Sequence, residues 1–415
     1  MATTINSNAP MPSTRQRTRS WMGGLLAFLV FYIIAFPKGG IKAGGVPLTV
    51  GYVFTILLLL VAMLRAGRPT IPFDRMLAFL PCLLLGMWSA FVVSTNGTDS
   101  IGFTTAYFVS VLYLPIFGLT FFSSFVLDEH NDRIERAFLW AVRFIVFYGI
   151  FLFFFKRFTG KWIEIPYLTV KASDIGQLDD KYINRGGIFK LISTYNNGNI
   201  FGISIAILTP LYMCIEKLKI SKVFLFIAML LTLSRTVWIA GIVIIFMRTS
   251  VNGLRPAAIL YLSIGLMLAT AAIFLILSFL GTDLSFIFDS NLGGRASQLD
   301  VLDDIRFVPE GLVYALPEIV YLGMLKYFGI PGLLLFIAHL IVPALLLRLE
   351  DVRILSPSKA SACLQGLLVY AVIAGADAAF SFIPVMMIFW MVAGWGFWYA
   401  HRQAWLLKGA REASR

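Results

Sequence analysis

Arg185 stands before Gly186-Gly187, and Lys190 follows five residues on. Asn196, Asn197, Gly198 and Asn199 then lead into an apolar run. Later in the chain, Gly293-Gly294-Arg295 repeats the pairing of a double glycine with arginine. Glycine lets backbone approach a ligand closely. Arginine offers a planar fork that grips phosphate oxygens bidentately and stays charged. An asparagine at a helix start caps it, and the capped end attracts anions. Two Gly-flanked arginines on one face would suit a diphosphate. By spacing alone, two solvated loops with turn glycines fit as well.

The carboxylates offer a proton acceptor and a weaker case for metal. Asp179-Asp180 and Asp303-Asp304 are paired, but neither run has a third carboxylate at helical spacing. Charge pairing with Lys181 or Arg306 is the plainer account, and neither a metal nor a cofactor is expected. Glu310 and Glu318 lie beside apolar sequence. Partial burial would raise a carboxyl pKa and make a better base. Glu318 is the preferred candidate. Trp162, Tyr167, Tyr182 and Tyr195 add rings that stack on sugar faces or mark a membrane interface.

These residues sit in two polar islands of a chain that is otherwise strongly apolar. Of 415 residues, 59% are hydrophobic and 13% charged, with mean hydropathy +0.84. Soluble domains carry about 25% charged residues. The expected class is an all-α polytopic membrane protein. Apolar runs lie near 21–37, 46–64, 76–94, 103–126, 137–155, 199–215, 222–234, 236–248, 257–280, 329–348, 360–376 and 379–400. That makes about twelve spans, two of them short of the roughly 20 residues a bilayer needs. The short pair meets at Thr232-Leu233-Ser234-Arg235. One continuous helix would put Arg235 at mid-membrane, costing at least about 2.5 kcal/mol. A tight turn that lifts Arg235 toward the outer face is preferred. Arg143, inside the fifth run, is expected to snorkel or pair within the bundle.

The organisation that follows has a cytoplasmic tail at 1–20, five helices at 21–155 and a long outer loop at 156–198. Helices at 199–280 carry the Ser-Arg turn near 234–235. A second outer segment fills 281–328, three helices fill 329–400, and a cytoplasmic tail ends the chain at 401–415. No small-residue cleavage site follows the first run, so a retained first helix is expected. Lys and Arg crowd the short loops on the N-terminal side of the membrane, which places both termini in the cytoplasm and both islands in the periplasm. The net charge of +12 reflects those loops and anionic lipid. No nucleic acid partner is expected, because no basic soluble domain exists to carry one. Cys82, Cys214 and Cys363 fall in or beside apolar runs, so no disulfide is expected.

Four short pieces occur in a telling order: Arg185-Gly186-Gly187, Thr232-Leu233-Ser234-Arg235, Gly293-Gly294-Arg295, and Glu318-Ile319-Val320-Tyr321-Leu322 leading to Tyr327-Phe328-Gly329-Ile330-Pro331-Gly332. In this the C-terminal half resembles the bacterial O-antigen polymerase (Wzy) and O-antigen ligase superfamily. The resemblance implies an inner-membrane enzyme acting on glycans linked to undecaprenyl diphosphate, with a chain-length regulator protein as a further partner. Arg185 and Arg295 would serve catalysis with Glu318. Lys190, Asn197, Arg235, Tyr195 and Tyr321 would join them in holding diphosphate and glycan. Ligases of the superfamily carry a histidine shortly before the Gly-rich helix. Here Glu318 stands near that place and the nearest histidine, His339, lies within the next span. The departure favours polymerase over ligase, with a lipid-linked-glycan flippase or other transporter as a further alternative. A transporter should show internal repeats and charges along an intramembrane path; no repeat is evident, and only Arg143 and Arg235 are candidates for such charges.

Overall fold

A backbone in hydrocarbon must satisfy every N–H and C=O internally, which leaves helices as the spanning unit for this composition. A computed structural model describes residues 14–37, 40–43, 46–49, 53, 55–56, 73–121, 127–170, 175–178, 184–185, 188–250, 275, 295–314, 316–349, 358–377, 379–380 and 383–413. Among them run helices α1 (Thr14–Ala35), α2 (Phe73–Asn96), α3 (Ile101–Thr120) and α4 (Leu127–Thr159). Then come α5 (Gly198–Ile215), α6 (Lys219–Leu231), α7 (Arg235–Ser250), α8 (Val320–Leu349), α9 (Lys359–Ile373) and α10 (Ile383–Ala413). Two short antiparallel hairpins interrupt the helices. β1 (Gly40–Ala43) pairs with β2 (Val46–Thr49), and β3 (Asn184–Arg185) with β4 (Ile188–Phe189). Among the described residues, five helices are long and apolar enough to cross a membrane: α2, α3, most of α4, α5 and α8. This is the framework of a multi-pass membrane protein.

The helices divide into inner and outer members. In α10 every residue from Val385 to Ala400 is buried, as expected of a helix that is apolar all round. The most apolar window of α5 is 78% buried, against 39% in α2 and α8. Around this centre α4 packs on α1, α8 on α2, and α9 on both α5 and α10. The outward rows of α2 (Leu80, Leu84, Met87, Phe91) and α4 (Phe147, Phe151, Phe154) are exposed large side chains that suit lipid. Small residues let the inner helices approach. A Cβ at Gly366 of α9 would lie 2.4 Å from the Ile207 carbonyl oxygen of α5.

Two breaks set the geometry of one end of the bundle. The first separates α6 from α7 at Thr232, Leu233 and Ser234, all buried, with Leu233 at φ 50°. The short runs therefore form two helices, as preferred above, and Arg235 opens the second. The freed carbonyls of α6 find partners inside the protein. Leu231 accepts from the Leu191 N–H at 2.8 Å and Leu230 from the Trp238 indole at 3.1 Å. The second break is Gly329, at φ 67° and ψ −169° within α8. It separates a short helix at 320–328 from a long one at 330–349. The Phe328 carbonyl accepts from Trp88 Nε1 at 2.7 Å, and the Ile330 N–H donates to the Arg306 carbonyl at 3.2 Å.

The structure corrects two boundaries. The run 46–64 does not begin as a helix, because Val46–Thr49 is a strand. The outer segment expected to reach residue 328 turns helical at Val320 instead, and a kink at Gly329 sets this first part of α8 apart from the rest. The predicted spans at 46–64 and 257–280 otherwise fall almost entirely outside the described residues. Arg143 does pair within the bundle. Its Nε and Nη2 donate to Glu216 at 2.7 and 2.8 Å.

Candidate functional site

The segment 190–197 enters the bundle as non-α backbone with a 3-10 turn at Ser193–Tyr195, which hydrocarbon tolerates only where protein satisfies it. Ser193 Oγ donates to the Ile145 carbonyl at 2.6 Å and Tyr195 Oη to the Ile34 carbonyl at 3.0 Å. Ser193 and Asn196 take left-handed conformations, and such local strain clusters at functional sites. Asn197 then caps α5. Its side-chain oxygen accepts from the N–H groups of Asn199 at 2.8 Å and Ile200 at 3.2 Å.

From this cap a chain of charged and polar groups crosses to the second island. The buried Lys190 donates from Nζ to Asn199 Oδ1 at 3.1 Å. Asn199 Nδ2 donates to Asp377 Oδ2 at 2.7 Å. Arg295 Nη2 donates to the same oxygen at 3.0 Å, and Arg295 Nε forms an ion pair with Glu318. Arg295 opens a 3-10 helix (Ala296–Asp303). Gln298 in it accepts from the Ile319 N–H at 3.0 Å and so ties the arginine's helix to the start of α8. Lys190, Asn199, Arg295 and Glu318 thus meet around Asp377, where α5 and α8 begin and α9 ends.

The two carboxylates differ in how they hold Arg295. The Asp377 side chain is 5% exposed and that of Glu318 52%. Asp377 is the fixed partner, while Glu318, just ahead of α8, faces solvent. Burial pushes the Asp377 carboxyl up to about 6. Arg295 and Lys190 pull it down, and Glu318 adds to the rise. The cations and carboxylates balance in this arrangement. An incoming anion therefore competes with Glu318 for the guanidinium, and its binding would free the Glu318 carboxylate.

The raised Asp377 value has a measurable sign. The folded state binds this proton more tightly than the unfolded chain does. The group's contribution to stability is greatest at low pH and falls as pH rises from the ordinary carboxylate range to about 6. The wild-type-minus-Asp377→Asn difference in stability, measured in detergent from pH 4.5 to 7.5, should decline by about 2 kcal/mol over that window. A difference that stays flat would contradict the assignment.

The remaining candidates fall into place unevenly. Arg185 lies in β3, next to the hairpin turn; its side chain, with Gly186, Gly187, Gly293 and Gly294, lies outside the described residues. Arg235 heads α7 at the same end. Gly202 of α5, three residues past Asn199, abuts Val237 of α7, two past Arg235. Tyr195 is a correction. Its ring is fully buried against Phe201 and its hydroxyl is used by Ile34, so it belongs to the core and not to a sugar-binding surface. Tyr321 is likewise committed, its hydroxyl donating to the Ala371 carbonyl at 2.6 Å. Glu318 is exposed where partial burial was expected, and the buried carboxylate is Asp377. Arg306 pairs with Asp304 and Glu310 at 3.0 Å, exposed contacts of small energetic weight. Asp179 and Asp180 lie outside the described residues. His339 is buried among Phe336, Phe380 and Trp390, and all three described cysteines are free thiols.

Asp377 does not stand out in the sequence, and Asn199 does so only as part of the polar entry to an apolar run. The available signal was a lone carboxylate between two apolar runs, which by default marks function or a buried partner. The chain matches no protein-family model and no curated protein.

Proposed function

We propose that this chain polymerises oligosaccharide repeat units carried on undecaprenyl diphosphate, with the Arg295 end of the bundle facing the periplasm of a bacterial inner membrane. The reading rests on one observation. Two polar islands far apart in sequence bring Lys190 and Arg295 to a single end of an apolar bundle, against a fixed carboxylate and a solvent-facing one. The donor is the growing glycan on its lipid diphosphate. Its diphosphate displaces Glu318 from Arg295. The released Glu318 carboxylate takes the proton from the acceptor hydroxyl as that oxygen bonds to the donor's anomeric carbon. The bond from that carbon to the diphosphate oxygen breaks, and the electron pair leaves with the lipid diphosphate. Arg295 and Lys190 stabilise the charge that develops there, a role best served by preorganised cations. Aligning the acceptor over a held donor supplies the rest of the acceleration.

Deleting the gene and measuring surface glycan length separates this reading from its rivals. A polymerase predicts a single repeat unit on each acceptor. Long chains left unattached would mean a ligase, and repeat units trapped on the cytoplasmic side would mean a flippase.

A further inference from the structure

The opposite end of the bundle carries a cleft of about 400 Å3, between the start of α4 and the end of α5. Its charges sort by partner. Glu216 is taken by Arg143, by the Tyr212 hydroxyl and by the Leu218 N–H. Glu135 is taken by Lys359, the Tyr399 hydroxyl and Asn131. Three charged groups lining the cleft remain. Among the described residues, Lys217 and Asp132 make no ion pair, and Arg136 spends only its Nε, on the Asp132 carbonyl at 3.2 Å. The uncommitted charge is two cations against one carboxylate, which matches one phosphodiester anion.

The walls say what the anion is attached to. Leu139, Ile215 and the half-exposed Leu218 line the same cleft. Trp140, 62% exposed, carries the Arg143 guanidinium on its ring at 5.3 Å. An exposed Trp beside basic residues marks the level where headgroups meet acyl chains. A soluble phosphate would leave the apolar walls wet, whereas a diacyl lipid covers them and presents a phosphodiester to Arg136 and Lys217. The headgroup level of an anionic leaflet also attracts basic residues such as these.

We infer that this cleft is a binding site for the phosphodiester headgroup of a membrane phospholipid, separate from the Arg295 site and independent of its function. The test uses the full-length protein purified in detergent, with phosphatidylglycerol as the probe and native mass spectrometry as the readout. Wild type should keep one phospholipid per chain through detergent exchange. Arg136→Gln/Lys217→Gln should bind it at least about tenfold more weakly, the loss of about one charge-assisted contact. Lys219→Gln/Arg402→Gln removes the same charge at exposed positions outside the cleft and should bind as wild type does. Equal retention by the cleft variant would overturn the proposal, and so would equal loss in the control, which would signify bulk charge attraction only. Displacement of the lipid by millimolar glycerol phosphate would overturn the lipid assignment in favour of a soluble phosphate. Both variants alter exposed side chains, so a folding defect does not mask the result.

Discussion

Gly329→Ala is expected to lower stability by about 3 kcal/mol and to abolish activity. The residue sits at φ 67° and ψ −169°, a region essentially reserved for glycine, where a side chain costs roughly 1–3 kcal/mol. The added Cβ would also stand 2.1 Å from the Phe307 carbonyl oxygen and 3.0 Å from that of Arg306. These are backbone atoms, so the loop at 306–307 must shift, at a further cost of about 1–3 kcal/mol. That shift breaks the Ile330 bond to Arg306 and frees the short helix at 320–328 to move. The helix holds Glu318 beside Arg295, so displacement dissolves the candidate site as well. Thermal inactivation in detergent reads the first effect. Gly24→Ala is the control, because nothing lies within 4 Å of a Cβ there. Equal melting of both variants would show that the break in α8 is not held by glycine.

How far the sequence foretold this arrangement depends on range. The polar islands stood out because charge is dense there and almost absent elsewhere, and Lys190, Asn197, Arg295 and Glu318 were all chosen from them. The cap at Asn197 and the break at 232–234 are local chemistry, visible in an Asn before an apolar run and in two runs too short to span. Asp377 was not legible, because its meaning comes from partners 178 residues away at Asn199 and 82 away at Arg295. No local pattern distinguishes it from any other lone aspartate. Tyr195 departs from its expected role for the same reason. Aromatic residues in a polar loop suggest a ligand surface, but this loop folds back into the bundle and buries the ring. The strand at Val46–Thr49 was hidden in an apolar run, and apolar runs alone do not separate strand from helix. The break at Gly329 lies in a Gly-rich motif whose sequence does not reveal its consequence, the kink that sets 320–328 apart from the rest of α8.

Arg295 carries the account. Arg295→Ala leaves Asp377 buried without its ion partner, which costs about 3–5 kcal/mol. Lost activity in that variant alone would therefore mean little. Adding Asp377→Asn removes the stranded charge, so the double variant should recover most of the stability while remaining inactive. Arg295→Lys keeps the charge but not the fork that reaches Asp377 and a ligand together. The deciding measurement is the rate of glycan elongation by purified protein in vesicles supplied with an undecaprenyl-diphosphate-linked repeat unit. Wild type should build a ladder of lengths, and folded Arg295→Lys should do so about a hundredfold more slowly, as expected for losing one aligned contact to a developing negative charge. No ladder from the wild type, or a wild-type rate from Arg295→Lys, would contradict the proposal that this arginine grips the diphosphate of a lipid-linked glycan.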